Sequence, residues 1–215
     1  MTLVSNALSH DDTEGNVRHI RQSSQPNALV RELPSWVKEQ MHSWGQPFCL
    51  PEWDDDDEAI DEEHVGSYRI NNGWKGSDLC HSSKSPVRIS HYAIQYTSTG
   101  IGTTLTGIAH FTAAAESHAG YCHGGSMTSV MDDIIGWTAF HVTGQCLAWS
   151  GFTAQINVSL KTPIAVGSVL KIVGKIVKWE RRKVWIEASL VAVEDDGSEV
   201  EHCTSEGLVI MKKES

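Results

Sequence analysis

The spacing of hydrophobic positions changes along this chain, and each change predicts an element. Residues 1–33 are polar, rich in Ser, Asn and His and without a period, so a disordered or loosely attached tail is expected there. In LPSWVKEQMHSW (33–44), Trp36, Val37, Met41 and Trp44 fall at helical spacing, and Pro34 suits the first turn of a short helix. From residue 87 the pattern turns β-like. VRISHYAIQY (87–96) and TTLTGIAHFTA (103–113) are two strand candidates, with turn residues Ser98, Gly100 and Gly102 between them. A 3.6-residue period follows over about 125–142, where Met127, Val130, Met131, Ile134 and Thr138 form one stripe with Ile135 at its margin. Four more strands follow: FTAQINVSLK, SVLKIVGKIVKWE, KVWIEASLVAVE and VEHCTSEGLVIMKK. In the first of them Ala154, Ile156, Val158 and Leu160 are expected on one face.

The links between the last four strands, TPIAVG, RR and DDGS, are short enough to join antiparallel neighbours. Two strands, a long helix and a four-strand meander predict an α+β layer architecture, an antiparallel sheet on one helix. One helix covers one face of such a sheet, and apolar residues occur on both faces, as in Val184, Trp185 and Ile186. The uncovered surface calls for a second copy of the chain, so a homodimer is predicted, with a dimer of dimers left open. The competing cover is the N-terminal extension with its Trp36, Trp44, Trp53 and Trp74. The expected division is an N-terminal extension, 1–86, and a folded domain, 87–213.

Charge sharpens that division. Residues 1–85 carry 15 acids and 7 bases, a net −8, against 12 and 10, a net −2, for residues 86–215. The formal charge of −10 argues against nucleic acid as a partner. The run EWDDDDEAIDEE (52–63) lacks the alternation and central glycine of a calcium loop and is read as a solvated segment. Five scattered cysteines, without CxxC or HxxxH spacing, point to a reducing compartment and to neither disulfides nor a metal site. No stretch approaches the roughly 18 apolar residues of a membrane span, and no basic-then-apolar leader opens the chain. An intracellular protein is expected, in the cytoplasm, with a mitochondrial location left open. No cofactor is expected.

The chemistry concentrates in AGYCHGGSMTSVMDDIIGWTAF (119–140). Gly124 and Gly125 let a ligand or backbone approach a helix N-terminus closely, and the first N–H groups of a helix lack internal partners. Such a terminus can hold a phosphate or stabilise a carbonyl oxygen that becomes anionic. Asp132 and Asp133 interrupt the same helix, each about 130° from the centre of the apolar stripe, on opposite shoulders. Both could simply face water, and the projection cannot choose between them as a base. A carboxylate two turns into a helix cannot serve an atom bound at that helix's own start, although a partner's equivalent can.

HGGSMTSVMDDIIG resembles the signature of the hotdog-fold acyl-CoA thioesterases, in which HGG opens the central helix and an acid lies nine residues after the histidine, here Asp132. ESHAGYCHGG is similar to the lead-in of the thioesterase superfamily member 4-like (THEM4-like) group, and FTAQINVSLKTPI to its following strand, with Thr153 on the family's catalytic threonine. The resemblance covers roughly residues 87–213. Ser117, His118, Ala119 and Leu160 depart from the family's usual residues. It implies hydrolysis of a fatty acyl-CoA to free acid and CoA by a homodimer. In that reading Gly125, with Gly124, donates to the oxyanion and Asp132 acts as base or nucleophile. Thr153 from the other subunit positions the water, and His123 orients the turn. The coenzyme phosphates would meet Lys161 and the basic stretch KWERRKVW, Arg181 and Arg182 foremost.

Three readings compete. One is a non-catalytic hotdog protein that binds acyl-CoA or a protein partner, and another is a dehydratase, for which the helix lacks the histidine motif. A cysteine hydrolase built on Cys122-His123 would need adjacent side chains to face each other. Trp137, Phe140 and Trp149 could shorten an acyl pocket or pack the core, and packing is expected.

Overall fold

The computed structural model describes residues 33–48, 79–81 and 85–213. The expected tail, but for Leu33, and the acidic run at 52–63 lie outside the described residues, as do Trp53 and Trp74. Helix α1 (Ser35–Gln40) continues into a 3₁₀ turn, with Pro34 flanking the helix as its N-cap. The strands are β1 (Gln46–Pro47), β2 (Val87–Gln95), β3 (Thr104–Phe111), β4 (Glu116–His118) and β5 (Tyr121–Cys122). After helix α2 (Gly124–Ala139) come β6 (Gly151–Leu160), β7 (Val169–Glu180), β8 (Lys183–Val193) and β9 (Glu199–Met211). Seven strands form one sheet in the order β1-β2-β3-β7-β8-β9-β6, every neighbouring pair antiparallel, while β4 and β5 make a small separate hairpin. The expected α+β layering is present: a large antiparallel sheet with one long helix against a face.

Alternation sets the two faces. Leu170, Ile172 and Ile176 of β7, Val184, Ile186 and Leu190 of β8, and Cys203 and Val209 of β9 are buried beneath α2. The helix presents Met127, Val130, Met131, Ile134, Ile135 and Thr138 to them, each buried, as the stripe predicts. Two strand glycines let it lie close. A Cβ on Gly174 would stand 2.1 Å from Thr138 Oγ1, and one on Gly207 would stand 2.6 Å from Ile135. Trp137 and Phe140 are buried and meet edge-on, with Trp149 against both, so this aromatic group packs the core.

The opposite face is covered in part by the chain's own N-terminal segment. Val37 and Trp44 pack on Ala93 and Ile108, with Leu33, Trp36 and Met41 around them. Lys171 joins the layers, reaching Gln40 at 3.3 Å and pairing with Glu199. Residues 46–47 extend the sheet by pairing with Ala93 and Ile94.

Two β-bulges revise the expected strand faces. In β6, Thr153 pairs with Val209 and Gln155 with Leu208, so Ala154 is an extra residue without an opposite number. The face expected to carry Ala154, Ile156, Val158 and Leu160 carries Thr153 in place of Ala154, because a bulge shifts the two-residue period by one. In β2 the shift lies between Ser90 and Ala93, with His91 at φ 55°. It turns Tyr92 to the helix side, where it lies over Gly107.

Candidate active site

The helix opening is built by its lead-in. Glu116 Oε1 accepts from the Gly120 N–H at 2.7 Å and closes the turn before β5. The His123 N–H then donates to the Ala115 carbonyl at 2.8 Å, and the Cys122 N–H to that of Ile164 at 2.9 Å. His123 is the N-cap of α2 in extended conformation. Its Nδ1 accepts from the Gly125 N–H at 2.8 Å, which puts the ring proton of the neutral imidazole on Nε2. This revises the expected donor. The Gly125 N–H is already taken by the imidazole, whereas the Gly124 N–H has no partner among the described residues. Gly124 also lies under the end of β6, where an added Cβ would come within 2.9 Å of Leu160 Cδ1.

The two shoulders of α2 differ sharply. Asp133 points towards β2: the Tyr92 hydroxyl donates to its Oδ2 at 3.0 Å, and His81 Nε2 lies 3.2 Å from the same oxygen and 3.1 Å from the tyrosine hydroxyl. His81 and Tyr92 are both buried. Asp132, one residue earlier, is exposed and has no hydrogen bond or ion pair among the described residues. It lies on the shoulder next to Ile135, the side that packs on Gly207 of β9 and leads to β6. Thr153 is exposed on the helix-facing side of that strand, brought there by the bulge.

The predicted coenzyme contacts fall at opposite ends of the chain's sheet. Lys161 follows Leu160 at the Gly124 end, half-exposed and paired with Glu201 at 2.5 Å. Arg181 and Arg182 form the turn between β7 and β8, and Arg182 Nε donates to the Met211 carbonyl at 2.6 Å. Met211 pairs with Gly151, the first residue of β6, while Gly124 lies at its last. Nine strand steps put roughly 30 Å between the two ends. Within one chain the arginines therefore do not line the helix opening, because spacing along the sequence carries no information on which end of a sheet a turn occupies. Cys122 is partly exposed at the opening, and its thiol is pushed up by burial and by the Glu116 carboxylate, the reverse of an activated nucleophile.

The His81–Tyr92–Asp133 group has no precedent in the sequence pattern. His81 lies in a segment without periodicity, and Tyr92 becomes inward-facing only through the bulge beside it.

No protein-family model matches the chain, and no curated protein does. Among solved structures, a thioesterase-superfamily protein is similar at 21% identity and a TM-score of 0.44, over 59% of this chain and 57% of that one. A hypothetical thioesterase from Streptococcus pneumoniae, solved with coenzyme A, is similar at 18% identity and a TM-score of 0.45, over 58% of this chain and 88% of that one. The PaaI protein of the Escherichia coli phenylacetic acid degradation operon is similar at 14% identity and a TM-score of 0.44, over 58% and 81%. These are partial likenesses of architecture.

Proposed function

We propose that the chain is a thioester hydrolase acting on acyl-CoA, with its site completed across a homodimer. The observation that carries the reading is the asymmetry of the helix. Asp133 is occupied by structural partners, while Asp132, Thr153 and the Gly124 N–H, on the side that leads to β6, are without partners among the described residues.

β6 supports the dimer. It is the last strand of the sheet, ten residues long, with Phe152 and Leu160 exposed, and a long exposed edge strand is a ready template for another chain. Pairing it antiparallel with its equivalent runs the two α2 helices antiparallel. Asp132 lies eight residues, about 12 Å, beyond Gly124 in its own helix, too far to serve an atom held there. The two-fold brings the partner's Asp132 and Thr153 towards that atom.

The thioester carbonyl oxygen accepts from the Gly124 N–H, at the positive end of the helix dipole. Asp132 removes a proton from water as the water oxygen attacks the carbonyl carbon, and the Thr153 hydroxyl orients that water. The C–S bond then breaks and the thiolate of CoA leaves with the electron pair. His123 acts through Gly125, holding the turn that keeps Gly124 free. Lys161 is the cation on hand for the coenzyme phosphates at this end.

The test follows free thiol release from acyl-CoAs of increasing chain length, with Asp132→Asn and Thr153→Ala beside the wild type and the association state read by sedimentation. Release by the wild type that falls about 10²–10⁴-fold in Asp132→Asn supports the reading. A folded dimer that binds acyl-CoA and releases no thiol from any chain length replaces it with a binding module.

A further inference from the structure

The end of the sheet remote from Gly124 has a composition unlike the rest of the molecule. Four segments meet there: residues 97–104, 140–152, 176–186 and 207–213. The Gly102 N–H donates to the Ile176 carbonyl, Gly100 lies against Trp179, the Met211 N–H donates to the Arg182 carbonyl, and the Lys212 N–H donates to that of Ser150. In a chain of net charge −10 these segments hold six bases, Lys178, Arg181, Arg182, Lys183, Lys212 and Lys213, and one acid, Glu180. Glu180 is itself paired with Lys178 at 2.9 Å.

The same end concentrates exposed apolar side chains. Phe152 is 66% exposed, Ile101 45%, Val177 37% and Trp179 36%. None of them is needed to close the core beneath α2. Val177 stands out because the ladder shifts between Ile176 and Lys178, leaving it without an opposite residue on β8. The bases are set among these side chains: Lys212 Nζ lies 5.1 Å from the centre of the Phe152 ring, and Lys178 Nζ lies 4.5 Å from that of Trp185. Lys183 pairs in register with Ile210, which pairs with Phe152.

From this we infer that the β7–β8 end of the sheet docks on an anionic lipid bilayer, with Ile101, Val177 and Trp179 entering the interface and the six bases meeting the headgroups. Charge complementarity selects an anionic partner, and an acidic protein gains nothing in solubility from collecting its bases at one end. The exposed aliphatic and aromatic side chains select a partner with an apolar interior, because a small phosphorylated ligand or a polyanion needs only the cations. Edge pairing through β6 runs in the plane of the sheet and engages Phe152 of that strand, but leaves the β7–β8 turn with Ile101, Val177 and Trp179 open. The inference is independent of thioester hydrolysis, since none of these residues is in the proposed catalytic machinery. If both hold, the enzyme works beside the bilayer into which long acyl chains partition.

The full chain is mixed with vesicles of phosphatidylcholine, with and without phosphatidylserine, and sedimented at low and high salt. Binding is expected to the anionic vesicles only, weakened by salt. Lys183→Glu with Lys212→Glu should lower it at least about tenfold, and so should Ile101→Ser with Val177→Ser. Each variant is checked for an unchanged circular dichroism spectrum and melting temperature; all four positions are at the surface, so folding is expected to survive. Absence of sedimentation with anionic vesicles overturns the inference. So does equal binding to neutral vesicles. Binding that disappears with the lysines but is indifferent to Ile101 and Val177 overturns it too, in favour of a soluble polyanion.

Discussion

Helix α2 has a closed side and an open side. Towards β2, Asp133 is tied to Tyr92 and His81, and a turn beyond the helix His141 Nδ1 lies 2.6 Å from the Tyr96 hydroxyl with Phe48 edge-on at 4.7 Å. Towards β6, Asp132, Thr153 and Gly124 present polar groups without partners among the described residues, beside a strand edge that none of those residues pairs. On each side a β-bulge re-aims the residue that matters, turning Tyr92 inward to satisfy a carboxylate and Thr153 inward where no carboxylate among the described residues uses it. Polar groups satisfied within the chain hold a fold together. Polar groups kept unsatisfied beside an open edge are available for a ligand or a second copy.

The sharpest way to break the comparison is at the paired aspartates. Asp132→Asn should cost about 10²–10⁴ in thiol release and leave the melting temperature unchanged. If it lowers the melting temperature and spares activity, the two sides have been assigned the wrong way round.

Acid should act on the closed side. Burial lowers the His141 pKa from 6.5 to about 4, so the folded state resists a proton that the unfolded state takes up. A depressed base contributes its full stability above the unfolded value and loses it as pH falls from 6.5 towards 4, on the order of 3 kcal/mol in all. Denaturant midpoints across that window should fall with pH. In His141→Gln, whose amide oxygen can still accept from Tyr96, this part of the slope should disappear.

Asp133→Ala should destabilise by about 2 kcal/mol, since it leaves the buried His81 and the Tyr92 hydroxyl without their shared acceptor. Urea unfolding reads this directly, and an unchanged midpoint would mean that the closed side is not held by this group. The smallest effect is expected at the opening of the helix. His123→Ala removes the cap on Gly125 at about 1 kcal/mol. If the imidazole only holds the turn, His123→Asn should restore most of the lost stability and most of the activity.

The sequence by itself determined the elements and their layering. The stripe from Met127 to Thr138, the alternation in β7, β8 and β9, the short links and the glycine opening before Ser126 are all local, and a period of 3.6 or 2 is a property of a single segment. The short helix with Trp36 and Trp44 was legible for the same reason, although not which face it would cover. Tertiary structure decided everything that depends on a residue far away in sequence. The bulge at Ala154 exists only against Leu208 and Val209, so no inspection of FTAQINVSLK could turn Thr153 inward. Asp133 is distinguished from Asp132 by His81 and Tyr92, 52 and 41 residues earlier. The basic turn at Arg181 and Arg182 was plain in the sequence, but its end of the sheet follows from the pairing of β9 with both β8 and β6. Periodicity tells which way a side chain points within its own element, and only the packing of elements tells what it meets.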